Sequence, residues 1–184
     1  MEFCPVGPED LETIAVLSEQ YLTHGKKIKD DIRHHRDMNG YFGVKAVENG
    51  EMIGFYTCIE DDIIFTLPHP ELKSEIEKIT GGEKTITGDT LYVEPAWRGK
   101  GIASELARRI TDMARERGGK YFLTEAWIHT EGVTPAKKIV TFNGEVIFEK
   151  IIPFFYRDLP KYGMECPICG KDCRCGAEVQ LHRL

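Results

Sequence analysis

The chain has 184 residues, 41% of them hydrophobic, which bounds it to one globular domain with a single sizeable core and leaves no room for a second full domain. Its formal net charge of −6 excludes a nucleic-acid binder that relies on bulk positive charge, so nucleic acid is a disfavoured partner. No apolar run is long enough to span a bilayer, and MEFCPVGPED lacks the basic start and apolar stretch of an export signal, so a cytoplasmic location without a membrane partner is expected.

In chain order, residues 8–22 place Leu11, Ile14, Ala15, Leu17 and Ser18 at helical spacing behind Pro8, a first-turn residue, and predict a helix. KDDIRHHRDMNG predicts a second, more polar helix ending near Asn39 and Gly40, with His34 and His35 on a solvated face. Residues 41–60 read as two strands joined at Asn49-Gly50, a dipeptide that tolerates the positive φ angles of a tight hairpin. Residues 61–83 then read as an insertion: DDIIFTLPHP, whose His69 takes no assignment, a helical PELKSEIEKI, and a break at Gly81-Gly82. KTITGDTLYV resumes strand character with β-branched residues. From Gly101, Ile102, Leu106, Ile110 and Met113 recur at helical spacing until Gly118 and Gly119. KYFLTEAWI is a strand, TPAKKIVTF a short helix, and EVIFEKIIPFFY an extended stretch interrupted by Pro153.

This order predicts a mixed α/β domain of the α+β type: a mostly antiparallel central sheet flanked by helices, with one strand–helix–strand crossover. It occupies residues 1–160; DLPKYGME (158–165) reads as a linker to a small metal-binding tail, residues 161–184.

The crossover begins with VEPAWRGKGIASELARR (93–109), which sets two glycines and basic residues against a helix start. A helix start offers unpaired backbone N–H groups and the positive end of the helix dipole, so the place suits an anion, phosphate above all. Gly99 and Gly101 keep side chains away from those amides, while Arg98 and Lys100 add charge that can lie over the anion. The bland alternative is a tight turn with both basic side chains solvated. LYVEPAWRGKGIASELA resembles the acyl-CoA-binding motif of the GNAT superfamily of N-acetyltransferases, Arg/Gln-x-x-Gly-x-Gly/Ala, with Arg98, Gly101 and Ala103 at its fixed positions.

The resemblance implies the GNAT fold, acetyl-CoA as cosubstrate, and acetyl transfer to a primary amine by direct attack, the amine belonging to a small molecule, a lysine or a protein N-terminus. It implies that backbone across Arg98, Gly99, Lys100, Gly101, Ile102 and Ala103 holds the pyrophosphate. The backbone at Leu91 and Val93 would pair with the pantetheine arm, an amide near Val93 serving as oxyanion donor. A homodimer is common for this fold.

Such transfer needs a neutral amine and a proton for the leaving thiolate. Asp89 and Glu125 are the candidate bases, carboxylates inside otherwise apolar or β-branched strands; parity sets Asp89 with Leu91 and Val93, and Glu125 with Leu123 and Trp127. Each also reads as an ordinary strand carboxylate, and Glu125 equally as an anchor for a cationic acceptor. Many members of the superfamily take their acid from an Asn-x-x-Ala-x-x-x-Tyr pattern; aligning on Ala136 puts Val133 and Val140 at its outer positions, so the usual tyrosine is missing. Tyr156 and His129 are the substitutes, with water as the third source; Tyr156 also reads as a packing residue near an end of the sheet, and His129 as a surface or hydrogen-bonded histidine. Cys4 and Cys58 read as small buried apolar residues.

CPICGKDCRCG concentrates Cys166, Cys169, Cys173 and Cys175, and CPICG is a rubredoxin-like knuckle whose turn aims amides at thiolates. Four protein sulfurs with no open position predict structural zinc, with His182 as a reserve ligand; the spacing matches neither ferredoxin pattern, and a redox dithiol or a bridging cysteine are the other readings. The rival to an enzyme is a non-catalytic acyl-CoA-binding regulatory module whose zinc tail docks a protein partner. A nucleic-acid-binding ribbon ranks last, since Lys161, Lys171, Arg174 and Arg183 supply little charge.

Overall fold

A computed structural model of the chain describes residues 1–22, 40–129 and 144–184. The elements are β1 (Glu2–Pro5), α1 (Leu11–Tyr21), β2 (Tyr41–Glu48), β3 (Glu51–Glu60), α2 (Pro70–Thr80), β4 (Thr85–Val93), α3 (Ile102–Glu116), β5 (Tyr121–Ile128), β6 (Glu145–Ile152) and β7 (Gly176–Arg183). The strands form one seven-stranded sheet in the order β1-β2-β3-β4-β5-β7-β6. Every neighbouring pair is antiparallel except β4 and β5, which the α3 crossover makes parallel. This is the mixed, mostly antiparallel α/β fold that the element order predicts.

The β2–β3 hairpin turns where expected, with Asn49 at φ 52° and Gly50 at φ 82°, the backbone twist that matches its flanking strands. One face of the sheet is covered by α3, whose Ile102, Leu106, Ala107, Ile110 and Ala114 bury against Val44, Ala46, Ile53, Tyr56 and Ile86. Each buried isoleucine, leucine or valine among them contributes about 1.5–3 kcal/mol. On the other face α1 packs Ile14 and Ala15 on Phe55 and Tyr92, and α2 packs Leu72 and Ile76, with Ile63 and Leu67, against Leu123, Val179 and Leu181. Residues 61–83 therefore close the core over the β5–β7 half. Among the described residues no helix is long and apolar enough to cross a membrane.

Two expectations about the C-terminus are corrected. Residues 176–183 are no separate tail: β7 inserts between β5 and β6 and pairs with both along its length. Its alternation serves two covered faces, with Ala177, Val179 and Leu181 in the core beside α2 while Glu178, Gln180 and His182 are also buried. The stretch 158–165 is no open linker either, because it forms a 3-10 turn at Leu159–Tyr162 and buries Leu159 and Met164.

Two irregularities open the middle of the sheet. In the β3–β4 ladder Thr57 opposes Thr90 and Cys58 opposes Gly88, which leaves Asp89 as the extra residue of a bulge. Between β4 and β5 pairing covers Thr85–Thr87 against Tyr121–Leu123 and then stops. Beyond it, β4 from Gly88 and β5 from Thr124 run without a shared ladder, and the end of β4 leads into the glycine turn.

Candidate active site

The glycine turn is shaped by backbone conformation. Gly99 sits at φ 76° and Gly101, the N-cap of α3, at φ 80°. A side chain at either position would meet no atom within 4 Å, so glycine is required by the left-handed φ, worth about 1–2 kcal/mol each, and not by crowding. Among the described residues no side chain caps the first turn of α3, so its orphan N–H groups stay available to an anion. Ile102 anchors this turn in the core, and Ala103 packs partly against the same cluster.

The basic residues are engaged differently from the expectation. Arg98 donates its Nε–H to the Val93 carbonyl at 2.9 Å and so ties the turn to the end of β4, while Lys100 places Nζ 4.1 Å over the Trp97 ring. The Arg98 contact also fixes which edge of β4 is open. Glu94 N–H donates to Ile53 on the β3 side at 2.9 Å, so strand alternation turns the N–H and C=O of Val93 and Leu91 toward the unpaired side.

Across that opening stands Glu125 on β5. Its Oε1 accepts from Tyr156 Oη at 2.6 Å and from Thr66 Oγ1 at 2.7 Å, and its Oε2 accepts from the Thr66 backbone N–H at 3.0 Å. Burial raises the pKa of Glu125 above the ordinary carboxylate range, against the three hydrogen bonds that lower it. Burial likewise pushes Tyr156 well above a normal phenol, with the Glu125 charge adding to it. Two residues expected on chemical grounds from distant segments are thus in direct contact.

Thr66 is the partner of Glu125 that the sequence did not disclose. It lies in an irregular loop with no periodicity, and a threonine among DDIIFTLPHP carries no local signal. His69, unassigned before, stacks on Phe155 with ring centroids 3.9 Å apart and steadies the same two segments against each other.

Asp89 is placed differently from its parity. Because it is the bulged residue it leaves the Leu91 and Val93 face, and its exposed carboxylate accepts from Thr57 Oγ1 at 2.8 Å. Its charge still reaches Glu125 and Tyr41, adding to the upward shift that burial gives both. His129 lies against the Trp127 ring at 4.9 Å. Cys58 is fully buried and Cys4 partly so, and neither is disulfide-bonded. His34, His35, Val133, Ala136 and Val140, with the two helices predicted around them, lie outside the described residues.

The sulfurs of Cys166, Cys169, Cys173 and Cys175 all lie within 4.8 Å of one another. The Cys166–Cys175 and Cys169–Cys175 separations are 3.9 and 3.7 Å. A tetrahedron of 2.3 Å zinc–sulfur bonds has edges of about 3.8 Å, so the set fits zinc. Backbone N–H groups are aimed at the sulfurs as a knuckle requires: Cys169 N–H donates to Cys166 Sγ at 3.5 Å, Arg174 N–H to Cys169 Sγ and Cys175 N–H to Cys173 Sγ. The Trp127 indole N–H donates to Cys175 Sγ. His182 is no reserve ligand, because it sits on the opposite face of β7, with Nδ1 3.4 Å from the Gly144 carbonyl.

A split parallel pair, an uncapped glycine-led helix start below it and a carboxylate across it define an acyltransferase-type site. The family model described as acetyltransferase (GNAT) family matches residues 10–138, and the chain belongs to that family. Solved structures of the same fold include Arabidopsis thaliana NAA60 in complex with acetyl-CoA, at TM-score 0.67 and 14% identity over 100% of this chain and 98% of that one. The NatC complex bound to Gag peptide and CoA aligns at TM-score 0.65 and 17% identity over 100% and 99%. An aminoglycoside 6'-N-acetyltransferase complexed with coenzyme A aligns at 0.58 and 12% over 100% and 97%. No curated protein matches the sequence.

Proposed function

We propose that the protein transfers an acetyl group from acetyl-CoA to a primary amine, of a small molecule, a lysine or a protein N-terminus, by direct attack on the thioester. The pyrophosphate sits on the amides of residues 98–103, and the pantetheine arm enters the split as an added strand along Leu91 and Val93. The thioester oxygen takes its hydrogen bond from the Val93 N–H, on the edge the split leaves open.

The observation that carries this reading is the 2.6 Å bond from Tyr156 to Glu125. Burial holds Glu125 above the usual carboxylate range, nearer the pH at which a base works best. The amine nitrogen bonds to the acetyl carbon and gives its proton to Glu125, and the carbon–sulfur bond breaks. The leaving thiolate takes the Tyr156 proton, and Tyr156 recovers one from Glu125. The sum moves one proton from nitrogen to sulfur and leaves both side chains as they began. Zinc on the four cysteines is structural in this scheme, since a closed set of ligands leaves no position for substrate. The six unbridged cysteines fit a reducing, cytoplasmic setting.

The test is free-thiol release from acetyl-CoA against a panel of small amines, lysine peptides and peptides with free N-termini. One class should give saturable, stoichiometric acetylation that Glu125→Gln slows about 10³-fold. Turnover equal in wild type and Glu125→Gln, or none with any amine, would overturn the proposal.

A further inference from the structure

The connection from β6 to β7 runs over residues 153–175, far longer than the connections compact domains usually tolerate without regular structure. Its ordered pieces are the 3-10 turn at Leu159–Tyr162 and the Cys166–Gly170 bridge. Near its start it carries Tyr156; at its end Cys173 and Cys175 run directly into Gly176, the first residue of β7. The segment nevertheless buries its side chains in the core, with Phe155, Tyr156, Leu159, Met164, Cys166, Cys173 and Cys175 in the same cluster as Val179 and Leu181.

The path from the cysteines to Tyr156 is short and continuous. Cys166 N–H and the Gly170 carbonyl close the knuckle at 3.2 Å, Met164 N–H reaches the Leu159 carbonyl at 3.1 Å, and Leu159 N–H reaches the Tyr156 carbonyl at 3.2 Å. A second link runs through β5: the Trp127 indole holds Cys175, and Trp127 lies two positions from Glu125 on the same face of the strand. The cysteine cluster therefore grips both the element that carries Glu125 and the segment that carries its phenol partner.

Apart from the burial of its side chains and the stack of His69 on Phe155, little else among the described residues organises the segment. Its ion pairs, Arg157 and Lys161 with Asp158, Lys171 with Glu165 and Arg174 with Asp172, are exposed and worth little. Thiols in such a cluster hydrogen-bond weakly, whereas a divalent cation would join four points of the chain at once.

We infer that Cys166, Cys169, Cys173 and Cys175 bind zinc, and that this zinc is the pin that holds Tyr156 on Glu125, so that metal occupancy sets the rate of acetyl transfer and not the affinity for acetyl-CoA. The rate part of this inference rests on the proposed function; the metal and the pin do not. Tyr156 is the residue that moves, and the cysteines are positioning residues. The acetyl-CoA seat at residues 98–103 leads into α3, whose buried side chains belong to a different core cluster from the cysteines.

The test uses the full chain purified without chelator. Elemental analysis should find stoichiometric zinc, and cobalt(II) exchanged into the site should show the absorption of a tetrahedral thiolate complex; Cys169→Ser, at the least buried ligand, should lose both. Removing zinc with a mercurial reagent and chelator should raise amide hydrogen exchange over residues 153–165. It should lower kcat about tenfold or more with KM for acetyl-CoA unchanged, and added zinc should reverse both effects. In Tyr156→Phe the same removal should cost no further kcat, because the pin then has nothing to position. Absence of zinc together with no cobalt binding overturns the site. Zinc whose removal leaves exchange over residues 153–165 unchanged, or lowers kcat equally in wild type and Tyr156→Phe, overturns the pin while leaving acetyl transfer in place. If no amine is acetylated at all, the proposed function fails, and the cobalt and exchange measurements still decide the site and the pin.

Discussion

The glycine turn at residues 98–103 and the cysteine turn at residues 166–175 are both short, both rich in special residues, and held in opposite ways. The first is exposed and built from backbone: two left-handed glycines and one bond from Arg98 to Val93 aim amides outward. The second is built from side chains turned inward, with Cys166, Cys173 and Cys175 almost fully buried. A turn of the first kind forms from neighbours in sequence and can seat a cofactor unaided. A turn of the second kind acts at a distance, through what it pins. Between them lies Glu125, whose partners come from 59 residues before it and 31 after it. In the proposed reaction the donor seat is local, and the acid–base pair is tertiary.

That division can be broken residue by residue. Glu125→Gln should give the largest loss, about 10³-fold in kcat/KM, measured by thiol release, with acetyl-CoA affinity unchanged. The wild-type acid limb should lie above the ordinary carboxylate range: a base must be ionised, burial raises its pKa, and activity falls as pH drops through that raised value. The variant should lack this limb. Tyr156→Phe should cost about 10²-fold. Because it removes a hydrogen bond that stabilises the ionised carboxylate, the limb should move to still higher pH. Thr66→Ala keeps the backbone donor and loses the hydroxyl, about 1.5 kcal/mol or somewhat over tenfold, with a smaller shift in the same direction.

Much of this was legible before any coordinates. The Asn49-Gly50 hairpin, the amphipathic α3 and the glycine turn are written in local spacing, and local spacing is what a single sequence displays. Glu125 and Tyr156 are visible as a carboxylate in an apolar strand and a tyrosine that reads equally as packing, but their contact is not, since it depends on how the connection after β6 folds back. β7 was hidden for a different reason. GAEVQLHR alternates apolar and polar residues as a half-exposed strand would, yet both of its faces are covered, so its polarity concealed a central position. The bulge at Asp89 is a single extra residue that leaves TITGDTLYV looking regular, and it reverses the parity from which the face of Asp89 was read.

The most direct measurement is calorimetric titration of acetyl-CoA into wild-type protein and into Gly101→Glu, which puts a side chain at a left-handed φ and a carboxylate at the anion seat. Seating of acetyl-CoA on these amides predicts single-site binding by the wild type, weakened at least about 100-fold in the variant, with far-UV circular dichroism and zinc content unchanged. Equal affinity in two folded proteins, or no binding by the wild type, would contradict it.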